Sequence, residues 1–158
     1  MDYRLAPEHR FPIPLDDCYA ATEWVARNAT GLGLDAQCIG VAGTSAGANL
    51  AAAVALRARD NAGPLLRFQL LIIPVCDDAF DRRSYTRFAA AHCLTGEHMR
   101  RYRDQYADVD QRRSSLVAPL KGDLSGLPPA LVIAAELNPL RDEGEAFAPA
   151  LTGHPSVG

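Results

Sequence analysis

The sequence predicts an α/β fold, a parallel sheet with helices packed against it. Two observations carry this. Three apolar segments, Cys38 to Ala42, Phe68 to Val75 and Pro128 to Leu137, are continuous in hydrophobicity rather than alternating, as buried parallel strands are. Helical stretches lie between them, so strand and helix alternate along the chain. The chain has 158 residues, enough for one domain with a sizeable core, and 48% hydrophobic against 22% charged residues is ordinary for a globular protein.

The elements follow in order. Tyr3 and Leu5 alternate like the stub of a strand, and prolines 7, 12 and 14 then enforce an extended loop. A helix from about Leu15 to Asn28 offers Tyr19, Thr22, Trp24, Val25 and Ala26 as a mostly apolar face, with Asp16 and Asp17 suited to its N-terminus. Gly31 and Gly33 stop it. The strand at Cys38 to Ala42 runs into Gly43-Thr-Ser-Ala-Gly47 and an alanine-rich helix to about Arg59. Asn61-Ala-Gly-Pro64 is a turn before the strand at Phe68.

Residues 77–126 differ in character. Arginines and aspartates are dense, as in Asp81-Arg-Arg83 and Arg100-Arg-Tyr-Arg-Asp104, around two helical pieces, Ser84 to Ala91 and Glu97 to Ala107. Acids match the arginines, so this is a solvated helical excursion beside the sheet and not a basic recognition surface. The strand at Pro128 to Leu137 follows, then a turn at Asn138-Pro139-Leu140 and a helix from Arg141 to about Leu151. All of 1–158 reads as a single domain.

Composition excludes several classes. A net charge of −3 argues neither for nucleic acid nor for an acidic surface, so no nucleic-acid partner is expected. No window reaches the roughly 18 apolar residues of a membrane span. Residues 1–20 carry Asp2, Arg4, Glu8, Arg10, Asp16 and Asp17, unlike a signal peptide. Cys18, Cys38, Cys76 and Cys93 are widely spaced with no C-x-x-C pair, which reads as reduced thiols in a cytoplasmic protein without a metal site.

Gly43-Thr-Ser-Ala-Gly47 is where chemistry concentrates. Strand, tight glycine turn and helix with a serine at the apex form the G-x-S-x-G nucleophile elbow. Ser45 stands on a strained turn, and Gly43 and Gly47 leave room where a Cβ would clash with the neighbouring strand and helix. The following helix aims its N-terminal amides at an oxyanion forming beside Ser45. The alternative is a plain helix start, with Thr44 or Ser45 capping the first turn.

Four motifs in order raise the elbow above chance: Asp2-Tyr-Arg-Leu-Ala-Pro-Glu-His9, Gly43-Thr-Ser-Ala-Gly47 with Asn49-Leu-Ala51, Leu127-Pro-Pro-Ala-Leu-Val132 and Pro139-Leu-Arg-Asp-Glu-Gly144. Together they resemble the hormone-sensitive-lipase family of α/β-hydrolase carboxylesterases, over nearly the whole chain to about residue 151. The resemblance implies a partial α/β-hydrolase fold and hydrolysis of small esters with fairly short acyl chains, with no cofactor or metal. It implies Ser45 as the nucleophile, the backbone N–H of Ala46 as an oxyanion donor, and Asn138 at the position of the triad acid.

The departures are as informative. The family's His-Gly-Gly-Gly oxyanion loop lies upstream of the first motif, and its triad histidine lies after one further strand, beyond Gly158. The elbow has Thr44 and Ala48 where the family usually has Asp and Gly. Among possible substitutes, His154 sits in a short tail, His92 and His98 belong to the helical excursion, and His9 belongs to a structural turn. Asp142 and Glu136 flank Asn138, and Asp142 reads as structural, pairing with Arg141 or capping a helix. Exchanging a triad Asp for Asn costs about 10⁴-fold in a serine protease, and a serine without a general base keeps the reactivity of an alcohol. The expectation is a carboxylesterase fragment with little or no activity alone. The alternatives are a half completed by another chain and a non-enzymatic ligand-binding or interaction module. Three parallel strands with exposed edges are expected, open to self-association.

Overall fold

The computed structural model describes residues 1–88 and 94–153. His92, Cys93 and His154 lie outside them, as does the far end of the helix expected over Ser84 to Ala91.

Three parallel strands, β1 (Ile39–Thr44), β2 (Leu66–Ile72) and β3 (Ala130–Ile133), form one sheet in the order β1-β2-β3. Gly43 pairs with Leu71 and Thr44 with Ile72, while Leu70 pairs with Leu131 and Ile72 with Ile133. All three carboxyl ends therefore share one edge of the sheet. β2 and β3 are shorter than their apolar runs. Ile73 still donates its N–H to the Ile133 carbonyl (2.7 Å) but turns at φ 43°, and Pro74 beyond it has no N–H for a ladder. Pro128 and Pro129 trim the start of β3 in the same way. Tyr3 to Leu5 form no strand, and among the described residues none of the three strands pairs with them. Arg4 is instead clasped to Asp17 through its backbone N–H (3.0 Å) and its guanidinium (2.6 Å).

Helix α1 (Ile13–Asn28) starts with Pro14 in its first turn and Asp16 near its positive end. Its inward stripe, Leu15, Cys18, Tyr19, Thr22 and Val25, follows the helical period. Trp24 falls off that stripe and is 55% exposed, contrary to the apolar face expected to include it. A short 3₁₀ turn at Thr30–Leu32 extends the helix, and the stop is Gly33 alone, at φ 69°.

Helix α2 (Ala46–Asp60) lies between the sheet and α1, and from Ala48 to Leu56 it is buried all round. Its alanines allow that close approach. Ala48, Ala52 and Leu56 meet Leu71 of β2 and Phe147 of α5 (Arg141–Thr152) in the main core. Leu15, Leu50, Val54 and Leu66 form a second cluster with Tyr3 and Tyr106 against it. Two helices, α3 (Arg83–Arg87) and α4 (Gly96–Tyr106), come between β2 and β3.

α2 and α5 cover one face of the sheet. On the other, Phe68, Leu131 and Ile133 remain 42%, 50% and 42% exposed. Parallel sheets are normally covered on both faces. β1 and β3 are also both edges, as the sequence leads one to expect.

Candidate functional site

The turn after β1 decides the geometry. Ser45 sits at φ 55° and ψ −118°, where a Cβ is strained. It is held there by its backbone: its N–H donates to the Ile72 carbonyl (2.9 Å), and its carbonyl accepts from Ala48 N–H (3.0 Å) and Asn49 N–H (3.1 Å). Its hydroxyl caps nothing, so the plain helix-start alternative fails. A Cβ on Gly43 would lie 2.1 Å from the Gly47 carbonyl oxygen, so only glycine fits. Gly47 is a correction. A Cβ there meets nothing within 4 Å, because Gly47 opens on a cavity that it shares with Tyr3 and with Cys18 and Thr22 of α1.

Ala46 opens α2, so its N–H is among the first-turn amides that no helical carbonyl can reach. It is exposed beside Ser45 at the positive end of the helix. Both residues line an apolar pocket of about 300 Å³, whose walls include Tyr3, Leu50, Val75, Met99, Tyr106 and Val117. Among the described residues, Ser45 Oγ makes no hydrogen bond to protein.

Asn49, one helical turn beyond Ser45, is only 5% exposed. Its amide donates to the carbonyls of Val75 and Val117, both at 2.8 Å, tying two pocket walls to the elbow helix. The sequence offers Asn49 as part of a motif without revealing this role.

Asn138 lies past the carboxyl end of β3, on the same sheet edge as Ser45 but with β2 between them, roughly 10 Å apart by strand spacing. Its Oδ1 accepts the Leu140 N–H at 2.8 Å, closing the turn into α5. Asp142 is fully engaged elsewhere. One oxygen accepts the Ser84 N–H (2.8 Å) at the start of α3, and the other takes the Arg141 guanidinium (2.7 Å). Burial opposes its ionisation, but these partners hold its pKa below the usual carboxylate value. Glu136 is exposed. His98 is an exposed cap: its N–H donates to Thr95 Oγ1 (3.1 Å) and its ring faces the Thr95 N–H. His9 folds back by a backbone bond to the Leu5 carbonyl. The described residues thus bring Ser45 and Ala46 together, and neither a histidine nor a carboxylate joins them by a hydrogen bond.

Sequence reasoning missed the buried acids. Glu143 is fully buried and Asp77 nearly so. Burial would raise Asp77, but Arg82 (2.7 Å) and Lys121 (3.0 Å) overcome it and hold its pKa at about 2. Glu143 is pushed up to about 7 by burial, against the three hydrogen bonds that favour its ionised form. Among the described residues no group of histidines, cysteines and acids could hold a metal ion, and no helix is long and apolar enough to cross a membrane.

A strained serine between a parallel strand and a helix N-terminus, opening on an apolar pocket, defines an α/β-hydrolase elbow. The chain belongs to that family: the model of the alpha/beta hydrolase fold matches residues 1–156. Its relatives place it with the hormone-sensitive-lipase-like carboxylesterases that its motifs resemble. It is 43% identical over 157 residues to the carboxylesterase NlhH of Mycobacterium tuberculosis, covering 96% of this chain and 49% of that protein. It is 40% identical to an arylesterase of Saccharolobus solfataricus, covering 94% of this chain and 49% of that protein. Among solved structures, EstE1, a carboxylesterase from a metagenomic library, superposes with a TM-score of 0.92 at 43% identity, over 98% of this chain and 54% of that one. A thermostable esterase from Pseudomonas putida gives 0.93 at 45% identity, over 96% and 49%. The fold is therefore a partial one, and the chain spans about half the length of the relatives it matches.

Proposed function

We propose that this chain is the elbow-bearing portion of a serine carboxylic ester hydrolase and that by itself it is inactive or severely impaired. Ser45 is the nucleophile, the Ala46 N–H an oxyanion donor, and Asn138 stands where the triad acid belongs. The observation that carries the reading is Ser45 at φ 55°, its hydroxyl uncapped, beside free first-turn amides and a 300 Å³ apolar pocket. Attack on an ester carbonyl needs a base to take the Ser45 proton and donors for the oxyanion. The elbow offers the second in part. The first needs an imidazole, and a neutral Asn138 lacks the charge that would stabilise the imidazolium formed.

The pocket suits a small ester with a short acyl chain, and no cofactor enters the chemistry. The free thiols Cys18, Cys38 and Cys76 suit the reducing cytoplasm. The chain has no nucleic-acid partner, and its open sheet edges favour self-association, which sedimentation at increasing concentration measures. A second reading, a half completed by another polypeptide, is favoured by the half-length match and the bare face around Phe68, Leu131 and Ile133.

Labelling with a fluorophosphonate beside Ser45→Ala tests this. No labelling of the folded chain is expected. Labelling that depends on Ser45 means that a base and an oxyanion site are assembled, and the inactive reading is wrong. Tight binding of an apolar ester analogue without labelling favours a binding module instead.

A further inference from the structure

Every hydrogen-bond partner of the Glu143 carboxylate comes from outside its own helix. One oxygen, Oε2, accepts the backbone N–H of Cys76 at 3.0 Å and of Asp77 at 2.7 Å, and Oε1 accepts the Tyr85 hydroxyl at 2.7 Å. A fully buried carboxylate is costly to desolvate, and packing α5 on the sheet does not call for one. What the carboxylate holds is the segment leaving β2. That segment turns through Ile73 at φ 43°, passes Pro74 and supplies Val75, Asp77 and Asp78 to the pocket beside Ser45. The elbow helix holds the same segment through the Asn49 amide on the Val75 carbonyl. The segment is thus clamped between the helix that follows Ser45 and the helix that follows Asn138.

We propose that Glu143 is a positioning residue of the Ser45 pocket, fixing the backbone at Cys76 and Asp77 so that Val75 and Asp77 form the wall beside the nucleophile. The proposal rests on reading that pocket as an ester site. The groups facing Glu143 are the Cys76 thiol and the Asp77 carboxylate after β2 and the Tyr85 hydroxyl of α3. Arg82 and Lys121 reach Asp77 from the entry to α3 and from the 3₁₀ turn at Pro119–Lys121. Arg103 of α4 adds positive charge near Tyr85. A carboxyl this buried, raised to about 7, changes charge near neutral pH while its two amide donors stay in place.

Three variants of the full chain test it. Glu143→Gln keeps an oxygen for both amides and an NH₂ that donates to the Tyr85 oxygen. Glu143→Leu fills the space with no acceptor, and Tyr85→Phe removes one donor only. The readouts are amide hydrogen exchange and ¹H–¹⁵N spectra, without and with 2-heptanone as a non-hydrolysable stand-in for a short ester. In the unaltered chain, the Cys76 and Asp77 amide resonances should move with pH about a near-neutral midpoint, and the ketone should shift the Ala46 and Val75 amides. Glu143→Leu should speed exchange at Cys76 and Asp77 by about tenfold or more beyond any global change, and weaken ketone binding similarly. Glu143→Gln should restore protection and binding while abolishing the pH-dependent movement, and Tyr85→Phe should leave binding within about threefold.

A folded Glu143→Leu with unchanged exchange and ketone binding overturns the proposal. If Glu143→Leu does not fold, persistence of the pH-dependent movement in Glu143→Gln overturns it instead. An unaltered chain that binds no ketone, with both amides protected and titrating, sinks the ester-site reading while leaving the clamp itself in place. The two failures are thereby told apart.

Discussion

Glycine at position 45 should stabilise this chain, and that gain measures the strain the elbow stores. Ser45 sits at φ 55° and ψ −118°, a conformation that a residue with a Cβ adopts at a cost of about 1–3 kcal/mol. Its backbone hydrogen bonds to Ile72, Ala48 and Asn49 do not depend on the side chain, and its hydroxyl has no partner. Ser45→Ala should therefore lie within about 0.5 kcal/mol of the unaltered chain. Ser45→Gly removes the strained Cβ but adds about 0.5–1 kcal/mol of chain entropy to be lost on folding. The net expectation is a Ser45→Gly variant about 0.5–2 kcal/mol more stable than Ser45→Ala. Urea unfolding followed by circular dichroism reads this directly, as a midpoint shift of roughly 0.3–1 M at constant slope. Equal midpoints for the glycine and alanine variants would refute the reasoning, since the serine would then be carrying no strain.

Asn49→Leu should lose about 2–5 kcal/mol of stability, because the buried carbonyls of Val75 and Val117 lose their donors while volume is kept; a midpoint unchanged in urea would contradict this. The two elbow glycines should differ sharply in the same assay. Gly43→Ala drives a Cβ to 2.1 Å from a backbone oxygen and should destabilise by about 3 kcal/mol or more, whereas Gly47→Ala meets open space and should be neutral or stabilising by up to about 1 kcal/mol. Stability should also depend on pH with two opposite signs. Asp77 is ionised in the fold down to about 2, below its ordinary 3.8, so stability should rise with pH across that interval, where the unfolded chain holds the extra proton. Glu143 keeps its proton up to about 7 in the fold but only to an ordinary 4.5 when unfolded, so stability should fall between those values, by on the order of 3 kcal/mol. Unfolding midpoints from pH 2 to 8 check both signs, and Glu143→Gln should flatten that fall.

Much of the fold was legible because its determinants are local. The apolar runs at Cys38, Phe68 and Pro128 located all three strands, and the helices α1, α4 and α5 begin within two residues of the expected starts at Leu15, Glu97 and Arg141. Element ends were less legible. The strand ends at Ile72 because Ile73, after one last bond to the Ile133 carbonyl, turns at φ 43° and Pro74 has nothing to donate, although the apolar run continues to Val75. The Tyr3–Leu5 stub forms no strand, since a strand needs a neighbour and the described residues pair none with it.

By itself the sequence determined the elbow and the family, because both depend on residue type and order within a few positions. The tertiary structure alone decided what those residues touch. Gly47 faces open space, Trp24 is exposed, Asp142 is committed to Ser84 and Arg141, and Asn49 clamps two pocket walls. Glu143 shows why. It reads locally as one more acid in the first turn of a helix, yet its partner amide lies 67 residues away at Cys76. Burial, and with it the charge state of a carboxyl, is set by whatever packs around it, and no local pattern encodes that.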